Sequence, residues 1–422
     1  VPERRLADLR ANEGPRVVLA ALWCALLLTA NNGLHPLRDA MALSGEVERL
    51  PWLFTATFVV MLAAVPLFGL AVAKLGRARL VPWVHRFLSS HALLFFVIMR
   101  GWLGDDPQLE IWTARVFFVW TSVFNLFTVS LFWSVMADLF VVDDAKRLFG
   151  PIAVGGSVGA LIGPALGGTL ALWAEPADLL LVVALALELA LACLRGLHAQ
   201  PGAATSGAPS DDAAIGGHPF AALPELLRSP ALLGIASYVL LMTISSTCVY
   251  FAQAQIVEQA LADTRARTAL FASVDFGVNA LTLLAQGLLA APLIRRFGLA
   301  AALALLPALT LLGLLALAAA PTLTTLIGLQ VLRRTCQYGF AKPGREMLFT
   351  TLARSARYKA KSLIDTVVYR GGDALSGWAF TGLAALGLGL GGIALAFAPV
   401  ALAWIGIGLW LGRTRERAPA DA

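Results

Sequence analysis

The chain has 422 residues, 59% of them hydrophobic and only 14% charged, with a net charge of +6. A water-soluble domain carries about a quarter charged residues, so an ordinary soluble enzyme or nucleic-acid-binding module is excluded. Apolar runs of about 20 residues recur throughout and predict a polytopic helical membrane protein; a β-barrel is excluded because its strands would alternate apolar and polar residues.

Twelve spans are expected in chain order. The first, roughly 16–38, follows Arg4, Arg5, Arg10 and Arg16 and ends in 31-NNGLHPLRDA-40, which puts Arg38 and Asp39 at the outer rim. Spans near 51–74 and 81–100 flank the turn 69-GLAVAKLGRAR-79, and the third carries only His91 at depth. The fourth, near 112–140, holds Asn125, with Arg115 at its outer mouth. The fifth, near 148–173, contains 150-GPIAVGGSVGALIGPALGG-168. Its Gly159, Gly163 and Gly167 recur every four residues as one smooth face, and Pro164 removes a backbone hydrogen bond. That pattern reads either as plain close packing or as a pliable seam for rocking.

The sixth span, near 177–195, carries Glu188, and a Gly/Ala/Ser/Pro-rich stretch comes after it. Its composition is that of a flexible cytoplasmic linker, 197–229, between six-helix bundles 1–196 and 230–422. The second bundle holds spans near 230–255, 266–294, 298–319, 322–342, 360–385 and 389–411. The eighth supplies Asp275 and Asn279 at i, i+4. The ninth and twelfth carry no charge and read as lipid-facing all round. The turn 291-APLIRRFGLAA-301 echoes the one after the second span, which fits a duplicated unit.

The tenth and eleventh spans hold the expensive residues. Arg333, Arg334 and Gln337 lie near mid-depth in the tenth, where one Arg costs roughly 2.5–3.5 kcal/mol. Asp365, Tyr369 and Asp373 share one face of the eleventh at i, i+4, i+8, with Arg370 beside them. Two readings stay open. An Arg pairs with Asp275, Asp365 or Asp373 as a buried ion pair that fixes packing, or at least one faces water and binds an anion.

Lys and Arg set orientation. The termini and alternate turns hold most of the 32 basic residues, among them Lys74, Arg77, Arg86, Arg147, Arg295, Arg296, Lys342, Arg345 and Lys361. Both termini are therefore expected on the cytoplasmic side of a bacterial inner membrane. The four cysteines are single, and no Cys/His cluster, HExxH or Walker A loop occurs. The chain is accordingly expected to be no enzyme, to need no metal or cofactor, and to act as a monomer in the lipid bilayer on a small anionic solute.

Twelve helices in two halves, every third one apolar, resemble the major facilitator superfamily, and the glycine run resembles the antiporter motif of its drug/proton exchangers. Gly69, Lys74, Gly76 and Arg77 fit the superfamily's cytoplasmic signature, with Ala73 where an Asp is usual. Three further stretches resemble the nucleotide translocases, the ATP/ADP carriers of that superfamily: 36-PLRDA-40; 124-FNLFTVSLFWSVMADLF-140 running into 145-AKRLFGPIAVGGSVGALIGP-164; and 338-YGFAKPGREMLFTTL-352 with 358-YKAKSLIDTVVYRGGDALSGW-378. His35 stands where the exchangers more often carry Arg. The resemblance implies nucleotide exchange, or import with protons. Arg38 and Asp39 match its first-helix pair, Lys342, Arg345 and Glu346 its basic turn, and Asp365, Arg370 and Asp373 its eleventh-helix signature. Other readings are a proton-coupled transporter of another amphipathic solute and a non-transporting membrane partner or sensor subunit.

Overall fold

Backbone groups buried in hydrocarbon must find partners within their own segment, which for long apolar runs means helix. A computed structural model describes residues 13–43, 47–75, 77–104, 106–140, 142–200, 223–349, 360–361 and 363–417. Among them are twelve long helical segments and no strand. In the first half these are α1 (Gly14–Ala42), α2 (Leu50–Leu75), α3 (Arg77–Met99), α4 (Pro107–Leu139), α5 (Val142–Trp173) and α6 (Leu179–His198). Most of the expected linker, with Gly76 and the basic residues between 350 and 359, lies outside the described residues.

After a short turn of helix at Leu223–Arg228 comes α7 (Pro230–Ala260), capped by the Ser229 hydroxyl on the Leu232 amide at 3.3 Å. Thr264–Ala319 then runs 56 residues. Straight helix of that length would extend about 84 Å, far beyond a hydrocarbon core of about 30 Å. Gly298, at φ 82 and ψ 172, breaks it into α8 (264–297) and α9 (299–319). The turn is one residue long because glycine tolerates positive φ. The new N-terminus is capped from a distance: Glu416 accepts hydrogen bonds from the amides of Leu299 (2.6 Å) and Ala300 (3.2 Å).

Three π-turns interrupt the second half. One, Ala285–Leu289, lies in α8. α10 runs Leu323–Cys336, through the π-turn Gln337–Ala341, to Lys342–Phe349. α11 runs from the π-turn Ile364–Val368 through Tyr369–Ala385, and α12 is Leu390–Arg417. A π-turn frees a carbonyl from the regular ladder. Tyr338 illustrates this: its carbonyl accepts from the Gln286 side-chain amide at 3.0 Å.

By contacts the described residues fall into two units. Unit 1 takes those of Val1–Met41, Leu67–Ala214 and Asp263–Phe276; unit 2 takes those of Ala42–Pro66, Ile215–Ala262 and Gly277–Ala422. In unit 1, α3 packs on α6, and in unit 2, α9 packs on α12. This corrects the expectation that the ninth and twelfth helices face lipid all round. Gly412 meets the Ala300 backbone, and Leu299, Ala302, Leu303 and Leu306 are buried. A helix with no charge still needs a partner for one stripe. His85, overlooked in the third span, is also buried, at 1% exposure.

The glycine face of α5 lies against α1 within unit 1. A Cβ on Gly155, Gly159 or Gly163 would overlap the backbone of Ala21, Ala25 or Thr29 respectively. Gly167 is looser: a Cβ there would stand 3.6 Å from the Gly33 carbonyl oxygen, so the tight part of the face starts one turn earlier than the spacing predicts.

Candidate functional site

Within unit 2 the tenth helix places Arg333 inward, at 5% exposure. Its guanidinium is held by neutral groups. Nη1 donates to Ser246 Oγ on α7 at 2.7 Å and to Gln337 Oε1 at 3.4 Å, and Nη2 donates to Gln330 Oε1 at 3.3 Å. Gln330 in turn donates through Nε2 to Gln253 Oε1 at 2.5 Å. This amide chain fixes which way each glutamine points, with oxygens turned toward the cation. Arg333 Nε finds no acceptor among the described residues, and no carboxylate pairs with Arg333 there.

Helical spacing explains the constellation. Gln330, Arg333 and Gln337 sit at i, i+3, i+7 on one face of α10. The π-turn that begins at Gln337 comes directly after, and such turns recur at functional sites. Arg334, its neighbour in sequence, is half-buried.

Asp373 and Arg370 form a second group on α11. Asp373 Oδ1 accepts from the Thr247 hydroxyl at 2.8 Å, and Asp373 Oδ2 is 3.7 Å from Arg370 Nη1. Arg370 also lies over the Tyr369 ring, 5.6 Å from its centroid. The expected stripe of Asp365, Tyr369 and Asp373 is not kept. The π-turn Ile364–Val368 adds one residue and rotates the rest of the helix by about 100°. Asp365 instead faces Arg345 at 3.5 Å. Arg345 also approaches Glu346 (3.7 Å), which binds Lys361 at 2.6 Å, so the basic turn is a mixed-charge cluster. Lys342 is exposed, its ammonium 5.9 Å above the Tyr338 ring.

Unit 1 holds the other expected residues. Arg38 donates through Nε and Nη2 to Asp39 Oδ1 at 2.9 and 2.7 Å and lies 5.2 Å from the Phe118 ring centroid. Arg115 stacks on Trp112, 5.0 Å from its centroid. Asn125 is half-buried, and Asp275 is buried in the part of α8 that belongs to unit 1.

Ser246, Thr247, Gln253 and Gln330 are the site residues that sequence reasoning missed. The one signal available was spacing: Ser246 and Gln253 lie seven residues apart on α7, as do Gln330 and Gln337 on α10. Two polar stripes of the same pitch on apolar helices mark faces that meet.

No family model and no curated protein matches the chain. Solved structures do. A bacterial homologue of the iron transporter ferroportin, in an inward-facing state, superposes with TM-score 0.65 at 13% identity, covering 96% of this chain and 99% of that one. The nucleoside transporter NupG gives TM-score 0.58 at 14% identity over 96% and 98%. The human organic anion transporter MFSD10 gives 0.58 at 17% identity over 94% and 100%. The chain is thus a multi-pass membrane protein with the twelve-helix fold of the major facilitator transporters.

Proposed function

We propose that this chain is a secondary active transporter, working by alternating access, of an anionic, phosphorylated solute, most specifically a nucleotide moved by exchange or proton coupling. One observation carries the reading: Arg333 is a cation buried in a membrane helix whose partners are all neutral. Amides and a hydroxyl orient a guanidinium but leave its charge uncompensated. A phosphate oxygen arriving there gains charge-assisted hydrogen bonds against acceptors that carry no charge of their own. Arg370, leaning on Tyr369 and only 3.7 Å from Asp373, supplies a second cation that an arriving anion draws away from its acid. Asp373 then keeps its Thr247 hydrogen bond and takes up a coupling proton. The halves 1–196 and 230–422 serve as the moving parts, with both termini on the cytoplasmic face of the inner membrane. The fold shared with transporters of nucleosides and organic anions supports transport as such.

Proteoliposomes loaded with ADP and offered labelled ATP test the reading. Exchange above empty liposomes, abolished in Arg333→Ala, is the expected result. Uptake of other phosphorylated anions without any nucleotide exchange would overturn the nucleotide assignment and keep the transporter. The packing of α5 on α1 favours a second reading, proton-coupled transport of an amphipathic solute. That reading requires uptake that tracks the proton gradient and ignores both phosphate groups and Arg333.

A further inference from the structure

The outward face of α3 carries a charge that the Arg333 site does not use. Trp83, Arg86, Phe87 and Ser90 stand at i, i+3, i+4 and i+7 and are all exposed. Leu80, Val81, Val84, His85, Leu88 and Ser89, on the other side of the same helix, are buried. Trp83 and Phe87 are 61% and 42% exposed, yet their rings stack in parallel, 5.1 Å apart at 11°. With Pro82 these residues border an open groove of about 460 Å³.

Arg86 lies in the third turn of α3, on the same face as Trp83 and Phe87. No ion pair to Arg86 exists among the described residues. An outward-facing guanidinium bordered by exposed aromatic rings on an apolar helix attracts an anion with an apolar body. The bilayer offers one.

We propose that this groove binds an anionic glycerophospholipid from the leaflet on the side of the α2–α3 turn. The phosphate is held by Arg86, and an acyl chain lies along the stacked faces of Trp83 and Phe87. Arg suits the phosphate because its planar fork donates two parallel hydrogen bonds. The aromatic pair gives the chain a rigid apolar wall at little entropic cost. The corresponding turn of α9 has no cation to offer: its first residues, 299-LAAALALLP-307, are all apolar. The site is therefore not repeated there.

Native mass spectrometry and thermal shift on the full-length protein, delipidated in mild detergent, test the proposal. The probes are phosphatidylglycerol, phosphatidylcholine and inorganic phosphate. Phosphatidylglycerol should be retained about fivefold more than phosphatidylcholine. Arg86→Gln should remove that preference, Arg86→Lys should keep part of it, and Trp83→Ala should weaken retention of both lipids. Equal retention of the two lipids by the unmodified protein, or a preference that survives Arg86→Gln, would overturn the proposal. Stabilisation by inorganic phosphate equal to that by phosphatidylglycerol, and lost in Arg86→Gln, would overturn it too, by making the ligand a soluble anion.

Discussion

Helices α4 and α10 are each the fourth long helix of their half of the chain, and they present opposite chemistry to their units. On α4, Phe117, Trp120 and Phe124 are buried; Trp120 stacks on Phe117 at 5.7 Å and meets Phe124 at a tilt at 5.2 Å. On α10 the equivalent interior is Gln330, Arg333 and Gln337, tied to α7 by hydrogen bonds. The same helix geometry thus builds an aromatic wall in unit 1 and a polar cradle in unit 2.

The largest expected effect breaks this contrast directly. Arg333→Ala should weaken binding of the proposed anionic solute at least about a hundredfold, because a desolvated, hydrogen-bonded cation is removed from its site. Arg333→Lys should recover part of the affinity, since charge is kept and the fork is lost. Trp120→Leu on α4 should lower thermal stability and leave the KM within about threefold, the loss being one of packing. Measured KM and melting temperature for the three variants decide the matter. Equal effects on KM from α4 and α10 would erase the distinction between wall and cradle.

Much of this was legible because membranes make some residues expensive. Arg333 and Arg370 stand out in any apolar run, and the four-residue recurrence of Gly159, Gly163 and Gly167 is visible as spacing, although the tight contacts begin at Gly155. The partners of Arg333 were not legible in the same way. Ser246 and Gln330, with Gln253 behind Gln330, are uncharged, and an uncharged polar residue in a span costs too little to attract notice. The π-turns were invisible because a regular period was assumed through them. That assumption put Asp365 and Asp373 on one face, when one meets Arg345 and the other Thr247. Long-range caps were equally hidden: nothing near Gly298 announces that Glu416, more than a hundred residues on, closes α9.

A second test concerns backbone packing. Gly159→Ala would place a methyl carbon inside the Ala25 backbone. Overpacking of this kind costs roughly 1–3 kcal/mol, so the variant should melt earlier and yield less folded protein. Gly382→Ala on α11 has nothing within 4 Å of the added carbon. It should be neutral or stabilising by about 0.5–1 kcal/mol through helix propensity. If both substitutions behave alike in a thermal melt, the α1–α5 contact in unit 1 is looser than its geometry states.

The last test probes a feature that the two halves solve in parallel. In each, an aromatic residue in the third turn of the first helix donates a buried hydrogen bond to the third helix. In unit 1 Trp23 Nε1 donates to His85 Nε2 at 3.4 Å, and His85 Nδ1 donates to the Val81 carbonyl at 2.9 Å. In unit 2 the Tyr238 hydroxyl donates to the Leu303 carbonyl at 2.8 Å. That carbonyl would ordinarily accept from the amide four residues on, but Pro307 stands there and has no N–H. Tyr238 therefore replaces a donor that proline took away. Tyr238→Phe should orphan the carbonyl and cost about 1–3 kcal/mol. Pro307→Ala restores the N–H within the helix, so the double variant should regain most of the loss. Trp23→Phe should cost a similar amount with no such rescue, because no proline removed the bond it replaces. A cycle of melting temperatures over Tyr238→Phe, Pro307→Ala and the pair gives the coupling. Additive effects would mean that the hydroxyl is not filling the proline's gap, and that the parallel between the halves is only one of position.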